Sequence, residues 1–182
     1  MQELSMNILD VAENSVRAHA SLVEIVLAQD TAANAQSLMI RDDGTGMDAE
    51  TVAKVTDPFY TTRTTRKVGL GVPFLKMAAE MTGGTFTIDS TPGQGTTVFV
   101  TFTLNHIDLM PLGDMGSTMS VLVSANPDID FLFSFTRDGE TFTFRTAEAR
   151  EILGDVPLSE PSVALFVRDH VNEGIQEVLA PG

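Results

Sequence analysis

Four short stretches hold residue types that can do chemistry. Asp10, Glu13, Asn14 and Arg17 fall at i, i+3, i+4 and i+7, so on a helix they share one polar face. Arg41-Asp42-Asp43-Gly44-Thr45-Gly46-Met47-Asp48 sets two carboxylates against two glycines directly after the apolar run 37–40. Gly44 and Gly46 tolerate positive φ, so taken alone this is a strand ending in a turn. Between Thr61 and Lys76 lie Arg63, Arg66, Lys67 and Lys76 with no acidic residue among them, a positive island on a chain of net charge −14. Such an island suits a small polyanion. Gly69-Leu70-Gly71 lies within it, after Lys67 and at the start of a helical stretch.

These residues need elements to position them. Over 5–20, Met6, Leu9, Val11, Ala12 and Val16 recur at near-helical spacing, which predicts an amphipathic helix. Residues 22–28 and 37–41 read as strands joined by a polar turn over 29–36. A short helix over 49–55 is capped by Asp48, and 56–68 lacks any apolar period and reads as a long loop of the kind that is usually functional. A helix over 70–81 ends at Gly83-Gly84, and 85–89 and 96–104 alternate as strands about the turn 91–95. The order predicts an α+β fold, a two-layer α/β sandwich of four mostly antiparallel strands with helices on one face.

After Leu104 the pattern changes, which divides the chain into 1–105 and a C-terminal α/β extension over 106–182. In the extension, 119–124 is strand-like, 130–146 reads as a β-hairpin across 137–140, and 147–153 is a short helix before Gly154. Pro161 opens a final helix with Val163, Phe166, Val167, Val171, Ile175, Val178 and Leu179 at helical spacing. The hairpin phenylalanines Phe131, Phe133, Phe135, Phe142 and Phe144 are expected to be core, packed on that helix.

Composition excludes several classes. With no cysteine there is no disulfide framework, thiolate metal site or cysteine nucleophile. Acidity argues against general nucleic-acid binding, and no apolar run reaches the length of a membrane span, so a soluble cytoplasmic protein is expected.

In order and spacing, Ala12-Glu13-Asn14-Ser15, Asp42-Asp43-Gly44-Thr45-Gly46, Asp57-Pro58-Phe59-Tyr60-Thr61-Thr62-Arg63 and Gly69-Leu70-Gly71 resemble the N, G1, F and G2 boxes of the Bergerat-fold (GHKL) ATPases. That superfamily holds DNA gyrase, heat-shock chaperones, histidine kinases and mismatch-repair ATPases. Residues 83–104 also look like the close of a histidine-kinase ATP-binding domain. The resemblance covers roughly the first 105 residues and implies ATP and Mg²⁺ as cofactors.

It also implies roles. Asp42 would accept the adenine amine, with Gly44 and Gly46 leaving room for base and ribose, and Asp43 would be a turn-former. Asn14 would offer a hard carboxamide oxygen to Mg²⁺. Gly69, Leu70 and Gly71 would turn free amides and the positive helix end to the phosphates. The lid would be the loop from Thr56, anchored by Phe59, with Thr61, Thr62, Arg63, Arg66 and Lys67 near the phosphates, and Thr96 would support adenine. Asp10, at the position of the relatives' basic glutamate, is the expected general base, with Glu13 the competing candidate. His19, His106 and His170 do not fit a phosphoacceptor helix pair. The expectation is therefore a histidine-kinase-type module acting as a protein kinase or slow ATPase toward a separate partner, with the extension as regulatory or docking element. The alternative is a nucleotide-dependent switch without productive phosphoryl transfer.

Overall fold

The computed structural model describes residues 2–59 and 70–181. Thr61, Thr62, Arg63, Arg66, Lys67 and Gly69 lie outside the described residues. Alternation of apolar and polar side chains drives the sheet. Val23, Ile25 and Leu27 on β1 (Leu22–Asp30) are buried, as are Leu38 and Ile40 on β2 (Ala35–Asp42). Their neighbours in sequence point to the open face. These two strands form a hairpin whose turn is confined to 31–34, shorter than the expected 29–36, because Gln29 and Gln36 pair within the ladder and join side chains at 2.7 Å.

β3 (Phe86–Thr91) and β4 (Gly95–Thr103) complete the four antiparallel strands expected, and β4 pairs with β2. The hairpin β5 (Asp130–Arg137) and β6 (Glu140–Arg145) then joins the same sheet, with β5 parallel to β1, in the order β3-β4-β2-β1-β5-β6. Phe131, Phe133, Phe135 and Phe144 are buried and share one core with β1 and β2.

Helices cover one face. They are α1 (Leu4–Arg17), α2 (Ala49–Thr56), α3 (Gly71–Met81), α4 (Met115–Ala125), α5 (Thr146–Leu153) and α6 (Pro161–Leu179). Thr56, expected in the loop, instead closes α2, its hydroxyl bonded to the Val52 and Ala53 carbonyls. The strand expected over 119–124 is wrong: these residues belong to α4. Asp114 caps that helix through the Ser117 amide at 2.9 Å, and Met115, Met119, Leu122 and Val123 bury one helical face. The apolar run is too short for its period to separate strand from helix, and burial of that face between α1 and α6 decides it.

α4 packs between α1 and α6. Asn172 of α6 accepts the Gly116 amide at 2.8 Å and donates to Asp114 at 2.9 Å, and a Cβ at Gly116 would overlap the Arg168 carbonyl. The connecting segment 105–114, which matches none of the four boxes, has a structural task. Pro111 and Leu112 carbonyls accept the Leu4 and Ser5 amides at 2.9 Å each, satisfying the orphan donors of α1.

Because β5 is hydrogen-bonded to β1, the extension and the first segment are expected to unfold together. Phe133→Ala is expected to cost about 3–5 kcal/mol. In urea, far-UV ellipticity and a probe at the cavity described below are expected to report the same shifted midpoint, whereas two separate transitions would show that the extension unfolds alone.

Candidate functional site

A cavity of about 250 Å³ opens between α1, α3 and the sheet. Apolar residues Val11, Ile40, Val72, Ile88 and Val98 form much of its wall, and Asn14, Asp42 and Thr96 supply polar groups. Asp42 ends β2 opposite Thr96 in the β2–β4 register, so one side of the cavity presents both. Its carboxylate is held from two sides: Ser15 donates to Oδ2 at 2.6 Å and the Gly44 amide to Oδ1 at 2.9 Å. Thr96 shares a 2.7 Å hydrogen bond with Ser90, whose oxygen also receives the Met47 amide at 2.8 Å. The sequence-predicted residues Asn14, Asp42, Gly46 and Thr96 thus converge on one cavity.

At Gly44 and Gly46 the protein itself takes the space that a side chain would need. A Cβ at Gly44 would stand 2.7 Å from the Ala18 carbonyl oxygen. One at Gly46, where φ is +69°, would overlap the Thr91 carbonyl. The turn therefore passes between the end of α1 and the β3–β4 hairpin, and the Thr45 amide seals the crossing on Ala18 O at 2.9 Å.

Asp43, expected to form a turn, ties this turn to β1. It accepts hydrogen bonds from the Ser21 amide at 2.7 Å, the Leu22 amide at 2.9 Å and the Ser21 hydroxyl. Partial burial pushes its carboxyl up, but these hydrogen bonds outweigh the push and hold it below the usual range.

Asp10 lies one turn before Asn14, at the contact of α1 with α3. A Cβ added to Gly71, the first residue of α3, would come within 2.7 Å of the Asp10 Cβ, so glycine lets the positive end of α3 abut Asp10. Leu70 is the N-cap of that helix, and Val72 reaches the cavity wall. Burial raises the Asp10 carboxyl above its ordinary value, and Arg17 opposes the rise. Glu13 is placed differently: it pairs with Arg17 at 3.7 Å and lines a neighbouring groove against Val121 and Leu122 of α4. Phe59 is 75% exposed.

Two residues were not predicted for the site. Ser15 lay inside the first box and is 3% exposed, its hydroxyl committed to Asp42. Arg17 donates to the Asn14 carboxamide oxygen at 3.0 Å and lines the cavity. Its place on the polar face of α1 was the available signal. Asn14 Oδ1 is a neutral hard oxygen at the cavity, and a cation that draws its remaining ligands from phosphates and water needs few such groups. Mg²⁺ therefore fits Asn14. Among the described residues no group of three or more His, Cys, Asp or Glu could hold a metal.

A family model described as Histidine kinase-, DNA gyrase B-, and HSP90-like ATPase matches residues 2–106. The heme sensor protein HssS of Staphylococcus saprophyticus subsp. saprophyticus is 37% identical over 82 residues, 44% of this chain and 17% of that protein. Sensor protein kinase WalK of Staphylococcus haemolyticus is 33% identical over 91 residues, 47% of this chain and 15% of that protein. The chain thus spans less than a fifth of the length of these curated relatives. The N-terminal domain of a DNA repair protein superposes with a TM-score of 0.56 at 15% identity, over 79% of this chain and 52% of that one, a likeness of fold alone. Among the described residues no helix is long and apolar enough to cross a membrane.

The hydrogen-bonded aspartates fix an acid limb. Asp43, Asp48, Asp114 and Asp138 all have lowered carboxyls. Their stabilisation is present above the unfolded value of about 4 and is lost as pH falls through the lowered folded values. Asp10 is raised and acts in the opposite sense, its contribution being lost as pH rises through its folded value. The urea midpoint of the wild type is expected to drop between pH 7 and pH 3. Asp43→Ala is expected to start lower and drop less over the same interval.

Proposed function

Because the chain belongs to the histidine kinase-, DNA gyrase B- and HSP90-like ATPase family, we propose that it is a kinase-type ATP-binding module that uses ATP and Mg²⁺ to act on a separate protein partner, as a protein kinase or slow ATPase. The convergence of Asp42, Thr96 and Asn14 on one largely apolar cavity carries this reading. Asp42, oriented by Ser15 and the Gly44 amide, accepts a hydrogen bond from the adenine amine while the apolar walls cover the base. Thr96, beside Asp42 across the ladder, supports the same edge. Asn14 would hold Mg²⁺, which would screen the phosphate charge, and Arg17, which donates to Asn14, would turn to a phosphate oxygen. The start of α3 turns its free amides to the phosphates.

Asp10 is the general base of the proposal. Its carboxylate takes the proton from a water or an acceptor hydroxyl as that oxygen attacks the γ-phosphorus, and the bond from phosphorus to the bridging oxygen breaks to release ADP. None of the three histidines of this sequence is among the residues that line the cavity. His19 sits just past the end of α1 with φ +59°, His106 accepts the Asp108 amide at 3.0 Å, and His170 stacks on Phe166 with centroids 5.4 Å apart. One observation favours a nucleotide-dependent switch instead: Asp10, a short carboxylate, is packed against Gly71.

Labelled ATP with Mg²⁺, followed for binding and for phosphate release, tests the proposal. Asp42→Ala is expected to abolish binding. Asp10→Asn is expected to leave binding within a few-fold while turnover falls about 100-fold or more, the scale of general-base loss. Binding by the wild type with no turnover, alone or with candidate protein acceptors, would make the chain a switch, and absence of binding would remove the proposal altogether.

A further inference from the structure

Asp42 and Thr96 belong to a longer polar row. Ser90 on β3 is opposite Thr96 on β4, and Thr96 is opposite Asp42 on β2, so the three side chains lie in line on the helix-covered face of the sheet. Ser90 stands one strand further out than Thr96, half-buried, and is not among the residues that line the cavity. Its hydroxyl meets three groups: the Met47 amide at 2.8 Å, the Gly95 carbonyl at 3.1 Å and the Thr96 hydroxyl at 2.7 Å.

Counting protons gives these contacts a direction. A hydroxyl has one proton to donate and two lone pairs to accept with. The Met47 amide can only donate, so it takes one lone pair of Ser90. The Gly95 carbonyl can only accept, so it takes the Ser90 proton. One lone pair is left, and the contact between the two hydroxyls therefore runs from Thr96 to Ser90. The reverse direction would draw the Ser90 proton away from Gly95 and make fewer hydrogen bonds from the same groups. The main chain holds this arrangement in place: the Gly93 amide donates to the Thr45 carbonyl at 2.6 Å, and Gly95, at φ +107°, lies where a Cβ would overlap the Asp42 carbonyl. With its proton committed to Ser90, Thr96 has only lone pairs left for a group in the cavity.

We propose that Ser90 is a positioning residue for base recognition: by taking the Thr96 proton it makes Thr96 an acceptor, beside the acceptor Asp42. This rests on the reading of the cavity as an adenine site and supplies a rule for that site. Adjacent acceptors call for a group that donates twice, and the exocyclic amine of adenine carries two N–H bonds, one for each. The 6-oxo group of hypoxanthine is itself an acceptor and would be opposed by both. Without the Ser90 oxygen, the Thr96 proton would turn across the ladder to Asp42, whose carboxylate is the acceptor opposite it, and occupy a lone pair that the amine needs. Ser90 thus acts on the ligand only through Thr96.

Titration calorimetry of the full chain with Mg²⁺ tests this, using ADP and purine riboside 5′-diphosphate, which lacks the amine. Wild type is compared with Ser90→Ala, Thr96→Val and the double variant, each checked for folding by far-UV circular dichroism. Ser90→Ala is expected to weaken ADP about fivefold to tenfold, the scale of one hydrogen bond, and to leave the amine-free analogue unchanged. It is expected to add nothing in the Thr96→Val background. Thr96→Val leaves the bonds of Ser90 to Met47 and Gly95 intact, so it makes the same comparison even if Ser90→Ala does not fold, and it too is expected to weaken ADP alone. Equal losses for both ligands in either single variant, unchanged ADP affinity in either, or a further loss in the double variant overturns the role of Ser90 while the adenine site stands. A wild type that binds neither ligand, or both alike, overturns the adenine site and this role with it.

Discussion

A helix that buries one face and presents polar residues at a cavity must have both of its ends held, because its terminal amides and carbonyls have no partners within the helix. α1 meets this constraint with groups distant in sequence. Its first amides go to the carbonyls of Pro111 and Leu112, and the Ala18 carbonyl at its far end accepts the Thr45 amide. Ser15 and Asp42 join near the same end, and Asp43 collects the amides of Ser21 and Leu22 where the chain leaves the helix for β1. Asp10 and Asn14 ride on this helix, so the ties that fix its position also fix the candidate base relative to the candidate adenine acceptor.

The glycines follow from the same constraint. Gly44 lets the turn pass Ala18, Gly46 lets it pass Thr91, and Gly71 lets α3 abut α1 at Asp10 and Val11. Each is a place where two main chains come closer than a β-carbon permits. The placing of Asp42 is a consequence of that packing, since the turn that must clear α1 is the one that delivers it to the cavity.

The extension is built onto this arrangement through backbone and core alike. β5 lies parallel to β1 with Phe131 and Phe133 in the shared core, and α4 fills the space between α1 and α6. Val121 and Leu122 of α4 border the groove that also holds Glu13 and Arg17, and Arg17 in turn lines the candidate site. The extension therefore touches the helix that carries the candidate cation ligand.

Local order was legible from the chain alone. Apolar periodicity located the helices and strands of the first segment, box spacing picked out Asn14 and Asp42, and the likeness of 83–104 to a histidine-kinase ATP-binding domain picked out Thr96. The fate of 119–124 was not legible, since a short apolar run suits a strand or a helix equally and burial between α1 and α6 made the choice. Nor could the sequence show that β5 would lie parallel to β1, that 105–114 would serve the start of α1, or that Ser15 and Arg17 would be committed to Asp42 and Asn14. Those are contacts between segments, set by which surfaces come together when the core closes. Local sequence specifies the residues and their periods, while long-range packing alone decides which of them meet.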